Sequence, residues 1–240
     1  MIRQRQTVTQ FIDSVEENEF RDAGLFRLAI KESGSLFRYN LGPRSEGFVL
    51  CPVCGFSEPQ VGSKADGKHK RLRVFSGART CDKQPWKSIS YGHEFQSYCL
   101  IARPTTVPAS IESLAYAIQH GICRVIDVET YDIGVSWRWL GQKREDPLTE
   151  IILYDLTPGG AGFVKEALES WPDVLKASQT LCSECSCQTA CYECLKTYSN
   201  QAYHDKLNRA KGKPGAPETL EVVRDRAAGG VKAASDPAVA

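Results

Sequence analysis

No apolar run in the sequence approaches the roughly 20 residues that cross a bilayer. The first residues, Met1-Ile2-Arg3-Gln4-Arg5-Gln6-Thr7, lack the apolar centre of a secretory signal. A surplus of charge is missing too. The chain has 30 Lys and Arg against 29 Asp and Glu, a net +1, so no whole-molecule attraction to nucleic acid or to an anionic membrane is built in. There is no G-x-x-x-x-G-K-[ST], no Asp-Glu-x-His box and no H-E-x-x-H, since Glu94 is followed by Phe95, Gln96 and Ser97. The deaminase pairing of H-x-E with P-C-x-x-C fails as well, because His93 and Glu94 are adjacent and Pro52 follows Cys51. These absences speak against nucleotide hydrolysis, zinc proteolysis and base deamination. The expected compartment is the cytoplasm, where thiols stay reduced.

Against that background stand ten cysteines in 240 residues. Reduced thiols in such number call for a metal. Cys182, Cys185, Cys187, Cys191 and Cys194 crowd into one short stretch. The quartet Cys185-x-Cys187-x-x-x-Cys191-x-x-Cys194 forms two short pairs separated by a turn, which can converge on a closed tetrahedral zinc site at about 2.3 Å per sulfur. Cys182 is then the spare, although Cys182-x-x-Cys185 could replace the first pair. A second, split group starts at Cys51-x-x-Cys54-Gly55 and needs two more ligands. Cys81 and His69 would close the polar stretch from Ser57 to Ser88 into a metal-stapled loop, which apolar burial could not support; His93 is the alternative imidazole. Cys99 and Cys123 lie in apolar surroundings and read as core residues.

The pattern of elements is α+β: a mixed sheet with flanking helices, stapled by one or two structural zinc sites. Strands are expected at 25–30 and 36–40 joined by a turn, at 47–50, 125–128, 134–140 and 150–155. Helices are expected from Pro108 to Gly121, capped by Ser110, and over about 163–181 with a break near Trp171-Pro172. Four regions follow: a polar leader at 1–24, a strand-rich part with the split site at 25–107, a part with the cysteine cluster at 108–209, and a disordered tail at 210–240. The turn Pro158-Gly159-Gly160-Ala161-Gly162 joins a strand to a helix as phosphate-binding turns do. The alternative is a plain tight turn with Asp155 bonding its amides. Lys68, Lys70, Arg71, Arg73, Arg79 and Lys83 concentrate in the split-site loop together with Phe75 and Trp86, a composition suited to nucleic-acid backbone contact with some stacking.

These residues also carry a resemblance. Pro158-Gly159-Gly160-Ala161-Gly162, the quartet with Tyr192 and Leu195, and Tyr198-x-Asn200-Gln201-x-x-His204-x-x-Leu207-x-Arg209 resemble the helicase-associated MrfA-type zinc-binding (MZB) domain. With Asn40-x-Gly42, Gly47-Phe48, Cys51-Pro52-x-Cys54-Gly55 and Gly92-His93-Glu94-Phe95 upstream, the likeness is to the form in DrmB of the DISARM anti-phage system, over residues 25–209. The resemblance implies a non-catalytic zinc module beside a superfamily-two, DrmA-like DNA helicase. It also implies that Cys185, Cys187, Cys191 and Cys194 hold zinc. The competing expectations are a metal-dependent nuclease or hydrolase built on His93, Glu94, Asp155 and His204, and a purely structural scaffold.

Overall fold

Two long antiparallel strands set the frame, because their residues alternate so that both faces of the sheet find something to bury. The computed structural model describes residues 7–63, 67–70, 80–140 and 148–215. β1 (Thr7–Phe11) and β2 (Arg21–Ala23) both pair with β3 (Phe26–Asn40). After β3 come β4 (Phe48–Leu50), β5 (Ser57–Pro59), β6 (His69–Lys70), β7 (Thr80–Cys81) and β8 (Trp86–Ile89). β9 (Tyr91–Pro104) then returns along the whole of β3, from Asn40 opposite Tyr91 to Phe26 opposite Pro104. Helix α1 (Ile111–Val125), β10 (Ile133–Trp139), β11 (Thr149–Asp155), α2 (Phe163–Glu169) and α3 (Trp171–Glu184) complete the order.

Among the described residues the main sheet has six strands, in the order β1-β3-β9-β11-β10 with β2 also on β3. Every pairing among the described residues is antiparallel. β4 lies between β5 and β8 in a small sheet of three, and β6 pairs with β7. The architecture is α+β, with three α-helices among the described residues.

One face of the main sheet carries the helices. Phe26, Leu28, Leu100, Ala102, Ile133, Ile151 and Leu153 pack there against Ile111, Leu114, Ile118 and Ile122 of α1, with Trp171 and Val174 of α3. The opposite face has its own smaller core of Phe11, Phe20, Leu36, Cys99, Ile101, Ile152 and Tyr154. Two of these, Phe11 and Phe20, belong to the stretch that the sequence reads as a leader. Thr7–Phe11 instead pairs with β3 in the sheet, because this face needs apolar cover that Phe11 and Phe20 supply. The two strands expected at 25–30 and 36–40 are one strand, irregular between Lys31 and Gly34. Gly34 is needed there because any Cβ would sit 2.7 Å from the Cys99 sulfur. The expected strand at 125–128 is the end of α1 and its exit.

Ser110 caps α1 by accepting the Ser113 N–H at 3.2 Å. Gly121, expected to end this helix, lies inside it. A Cβ at Gly121 would strike the Ser178 hydroxyl and stand 2.6 Å from the Val174 carbonyl, so the glycine lets α1 and α3 approach. The break expected near Trp171-Pro172 separates α2 from α3 at Ser170. No helix among the described residues is long and apolar enough to cross a membrane. The tail from 216 onward lies outside the described residues.

On α1, the ring Nε2 of His120 is buried without a hydrogen-bond partner. Burial, assisted by the Arg124 charge, pushes the imidazole from 6.5 down to about 4. Below 6.5 the unfolded chain takes up a proton that the folded chain refuses, so stability falls as pH drops from 6.5 through 4. The shift corresponds to about 3 kcal/mol. Unfolding titrations of His120→Gln beside the parent should therefore diverge progressively over that window, with the variant losing about 3 kcal/mol less.

Candidate metal centres and their surroundings

The first centre is assembled from three chain segments. β4 delivers Cys51, whose N–H donates to the Phe56 carbonyl at 2.8 Å while the Gly55 N–H returns to the Cys51 carbonyl at 3.0 Å. This tight turn requires the left-handed backbone of Gly55, at φ 72, and brings Cys54 beside Cys51. β6 and β7 place His69 directly opposite Cys81. The ligand atoms of Cys51, Cys54, His69 and Cys81 all lie within 4.8 Å of one another. Cys51 and Cys81 sulfurs are 3.9 Å apart, and the Cys54 sulfur is 3.3 Å from His69 Nε2. Four ligands around one zinc ion stand about 3.5–3.8 Å from each other, so the set fits.

The orientation of His69 is fixed from behind. Its Nδ1 lies 2.7 Å from the Gly67 carbonyl, which can only accept, so Nδ1 carries the proton and the Nε2 lone pair faces the thiols. The Phe56 ring, 5.0 Å away, steadies the imidazole. Burial alone would raise the Cys51 thiol, but the N–H groups of Cys54 and Val53, with the Cys54 and Cys81 thiols, bring it down to about 6. Of the two imidazoles open in the sequence, the structure brings His69 to the cluster. His93 stays on β9 opposite Arg38, stacked at 5.6 Å on Phe95.

The second centre follows α3 directly. Cys185 leaves the helix in extended backbone, and the loop turns so that the N–H groups of Cys194, Leu195 and Lys196 all donate to the Cys191 carbonyl. Sulfur separations are 3.5 Å for Cys185–Cys187, 3.5 Å for Cys185–Cys191, 3.7 Å for Cys187–Cys194 and 3.8 Å for Cys191–Cys194. Four thiolates at zinc distance stand about 3.8 Å apart, so this set fits as well. N–H and thiol donors around Cys185, the Cys187 N–H foremost, lower it to about 7, whereas burial drives Cys194 up to about 12.

Cys182 stays out of the quartet, fully buried with its thiol pushed by burial up to about 11. Cys182→Ala should leave the zinc content of the purified chain unchanged, read by elemental analysis. A loss of one ion would place it among the ligands.

Several residues that spacing rules did not single out hold this loop. Arg209 donates to the Cys187 carbonyl at 2.7 Å and to the Cys182 carbonyl at 2.9 Å, satisfying the open end of α3. Buried Asn200 accepts from Thr197 N–H at 2.8 Å and donates to the Leu195 carbonyl at 2.8 Å. His204 Nε2 donates to Asn200 Oδ1 at 2.9 Å and to the Thr197 carbonyl at 3.0 Å. Leu181, Cys182, Leu195 and Leu207 then pack on Tyr116 and Ala117 of α1. The signal for Asn200, His204 and Arg209 was their recurrence in the motif, not any periodicity.

Chemistry elsewhere is already committed. Asp155 takes the N–H groups of Ala161, Gly162 and Phe163 on one oxygen and that of Val164 on the other, at 2.6–3.2 Å. The glycine turn is therefore filled by the chain's own carboxylate. Among the described residues, only the two centres bring three or more Cys, His, Asp or Glu ligand atoms together; His93, Glu94, Asp155 and His204 form no third cluster.

Of the basic residues, Lys68, Lys70 and Lys83 are exposed beside the first centre, next to Trp86, which is 56% exposed. Arg71, Arg73 and Arg79 lie outside the described residues.

A charged group was missed in the sequence. Glu150, buried on the face away from the helices, accepts from Arg103 at 2.8 Å and from Arg138 at 2.7 Å, and Arg103 also meets Glu17. Its signal was a charged residue in phase with Ile152 and Tyr154 on one strand face.

Residues 114–195 match the family described as the MrfA Zn-binding domain, MZB. The matched span runs from α1 to the end of the second quartet and leaves out the first centre. The Druantia protein DruE of Escherichia coli (strain UMEA 4076-1) is 28% identical over an alignment of 192 residues, taking in 70% of this chain and 10% of that protein. The chain thus spans about a tenth of the length of that relative. Among solved structures, the DUF1998 helicase MrfA bound to DNA aligns with a TM-score of 0.45 at 15% identity, over 82% of this chain and 23% of that one. The crystal structure of the DUF1998 helicase MrfA gives 0.37 at 15% identity, over 80% and 22%.

Proposed function

We propose that this chain is a non-catalytic, zinc-organised accessory module of a DNA helicase or translocase system in anti-phage defence. The observation that carries the reading is the pair of closed centres. Each offers four protein ligands, which in tetrahedral coordination leaves no position for water or substrate. The match of the second centre to a helicase zinc-binding family, and the kinship with a Druantia protein, support the setting. A DISARM-like system with a DrmA-like, superfamily-two partner is the finer form of the same proposal. Support for direct DNA contact comes from Lys68, Lys70 and Lys83 around the first centre, with Arg71, Arg73 and Arg79 in the same loop of sequence. Zinc there stiffens a basic loop, and Trp86 gives it a stacking face.

The test is the affinity of zinc-loaded protein for single-stranded and forked DNA as salt is varied, alone and with the helicase partner. Each phosphate contact contributes about 0.7–0.9 to the slope of log K against log salt, so Lys68→Ala, Lys70→Ala and Lys83→Ala should each flatten it. Absence of binding in every combination removes the DNA role.

A further inference from the structure

The two edges of the main sheet, β1 and β10, approach each other with no backbone ladder between them among the described residues. Side chains bridge the seam instead. Ser136 donates to the Thr9 carbonyl at 2.6 Å, and Arg138 donates to the Asp13 carbonyl at 2.8 Å. Along this seam opens a cleft of about 1230 Å³, above the range of about 300–1,000 Å³ of small-molecule pockets.

The lining has a particular chemistry. Trp137 and Tyr203 meet edge to face at 5.0 Å and form one wall. Tyr131 and Tyr198 stand on the rim 71% and 84% exposed, where their rings contribute almost nothing to the core. Lys206, with a side chain 63% exposed, sits 6.0 Å over the Tyr203 ring. Arg38, Arg138 and Lys206 line the cleft with one carboxylate, Glu112, among the described residues; Lys206 stands 3.9 Å from Glu112 and Arg138 is held by Glu150, which leaves Arg38 without a carboxylate partner in the lining. Flat apolar rings with cations set among them offer bases a stacking face and phosphates a counter-charge. A duplex keeps its base faces covered and cannot use such rings.

We infer that the seam cleft is a track for single-stranded DNA, with Tyr131 and Tyr198 stacking on bases and Lys206 and Arg38 meeting phosphates. The inference rests on the DNA reading above and adds a second contact surface, separate from the basic loop of the first centre.

The experiment uses the full zinc-loaded chain and a fluorescent oligo-dT of about 20 nucleotides, followed by anisotropy. Tyr198→Ala and Tyr131→Ala should each weaken binding roughly tenfold, whereas Tyr198→Phe and Tyr131→Phe, which keep the ring, should bind as the parent does. Lys206→Ala should lower the salt slope by about 0.7. Affinity for a blunt duplex should not respond to the tyrosines. If the parent binds oligo-dT and both alanine variants bind it equally well, the cleft is overturned while the DNA reading stands. If the tyrosine changes weaken duplex and single strand alike, the stacking role is overturned. If the parent binds neither DNA form, with or without its helicase, both fall together.

Discussion

Replacing Cys191 with serine is expected to lower bound zinc from two ions per chain to one and to unfold the region around the second centre. The reason is the small size of what remains without metal. Leu181, Ala190, Leu195 and Leu207 are buried in this part of the molecule, on one face of α1, while the chain from Cys185 to Leu207 holds no regular element beyond one 3-10 turn at Gln201–Tyr203. In small zinc modules the ion contributes about 10–16 kcal/mol, comparable to the whole stability of a typical domain at about 5–15 kcal/mol. Disruption of one tetrahedral site is therefore a loss that the apolar contacts here cannot offset. Zinc stoichiometry by elemental analysis and denaturant unfolding together check it. A soluble Cys191→Ser chain with two ions and an unchanged midpoint would contradict a structural role.

The second large effect is expected at Glu150. Its side chain is 1% exposed and lies between Arg103, 5% exposed, and Arg138, 22% exposed. Burial works against the Arg103 charge, but hydrogen bonds with Glu150 and Glu17 outweigh it and raise the guanidinium above its usual range. The guanidinium also stacks over the Phe20 ring at 4.0 Å. Glu150→Ala should cost about 3–5 kcal/mol, because it leaves a buried guanidinium facing a methyl group. The chemistry of the loss can be checked by a triple change, Glu150→Leu with Arg103→Met and Arg138→Met. Removing all the charges together should recover most of the stability. Equal destabilisation in the single and triple variants would point to lost packing instead.

The legible parts of this molecule were those written over short spans. Four cysteines within ten positions declare a metal by density alone, and Cys51-x-x-Cys54 declares half of one. His69 could be favoured over His93 but not settled, because the pairing of β6 with β7 that carries His69 to Cys81 leaves no periodic trace in so short a strand. The α1 cap at Ser110 and the break before Trp171 were readable from local rules. The sheet membership of Thr7–Phe11 was not: this edge strand is polar along most of its length, and Phe11 is informative only beside Cys99 and Leu36. Likewise Gly121 reads as a helix end until Ser178 is seen against it. Each miss was a contact across the fold.

The two centres also differ in how much chain each must gather. Cys51 and Cys81 are 30 residues apart, whereas the second quartet spans fewer than a dozen. Loop closure grows dearer by about 0.6 kcal/mol per doubling of length, so the first ring closes at roughly 1 kcal/mol more. The second centre needs only its own loop and can take metal on a chain still searching for its shape. The first draws its ligands from separate strands. Ligand spacing by itself thus favours closure of the local knot before the wider clasp, an order that zinc uptake followed during refolding would reveal.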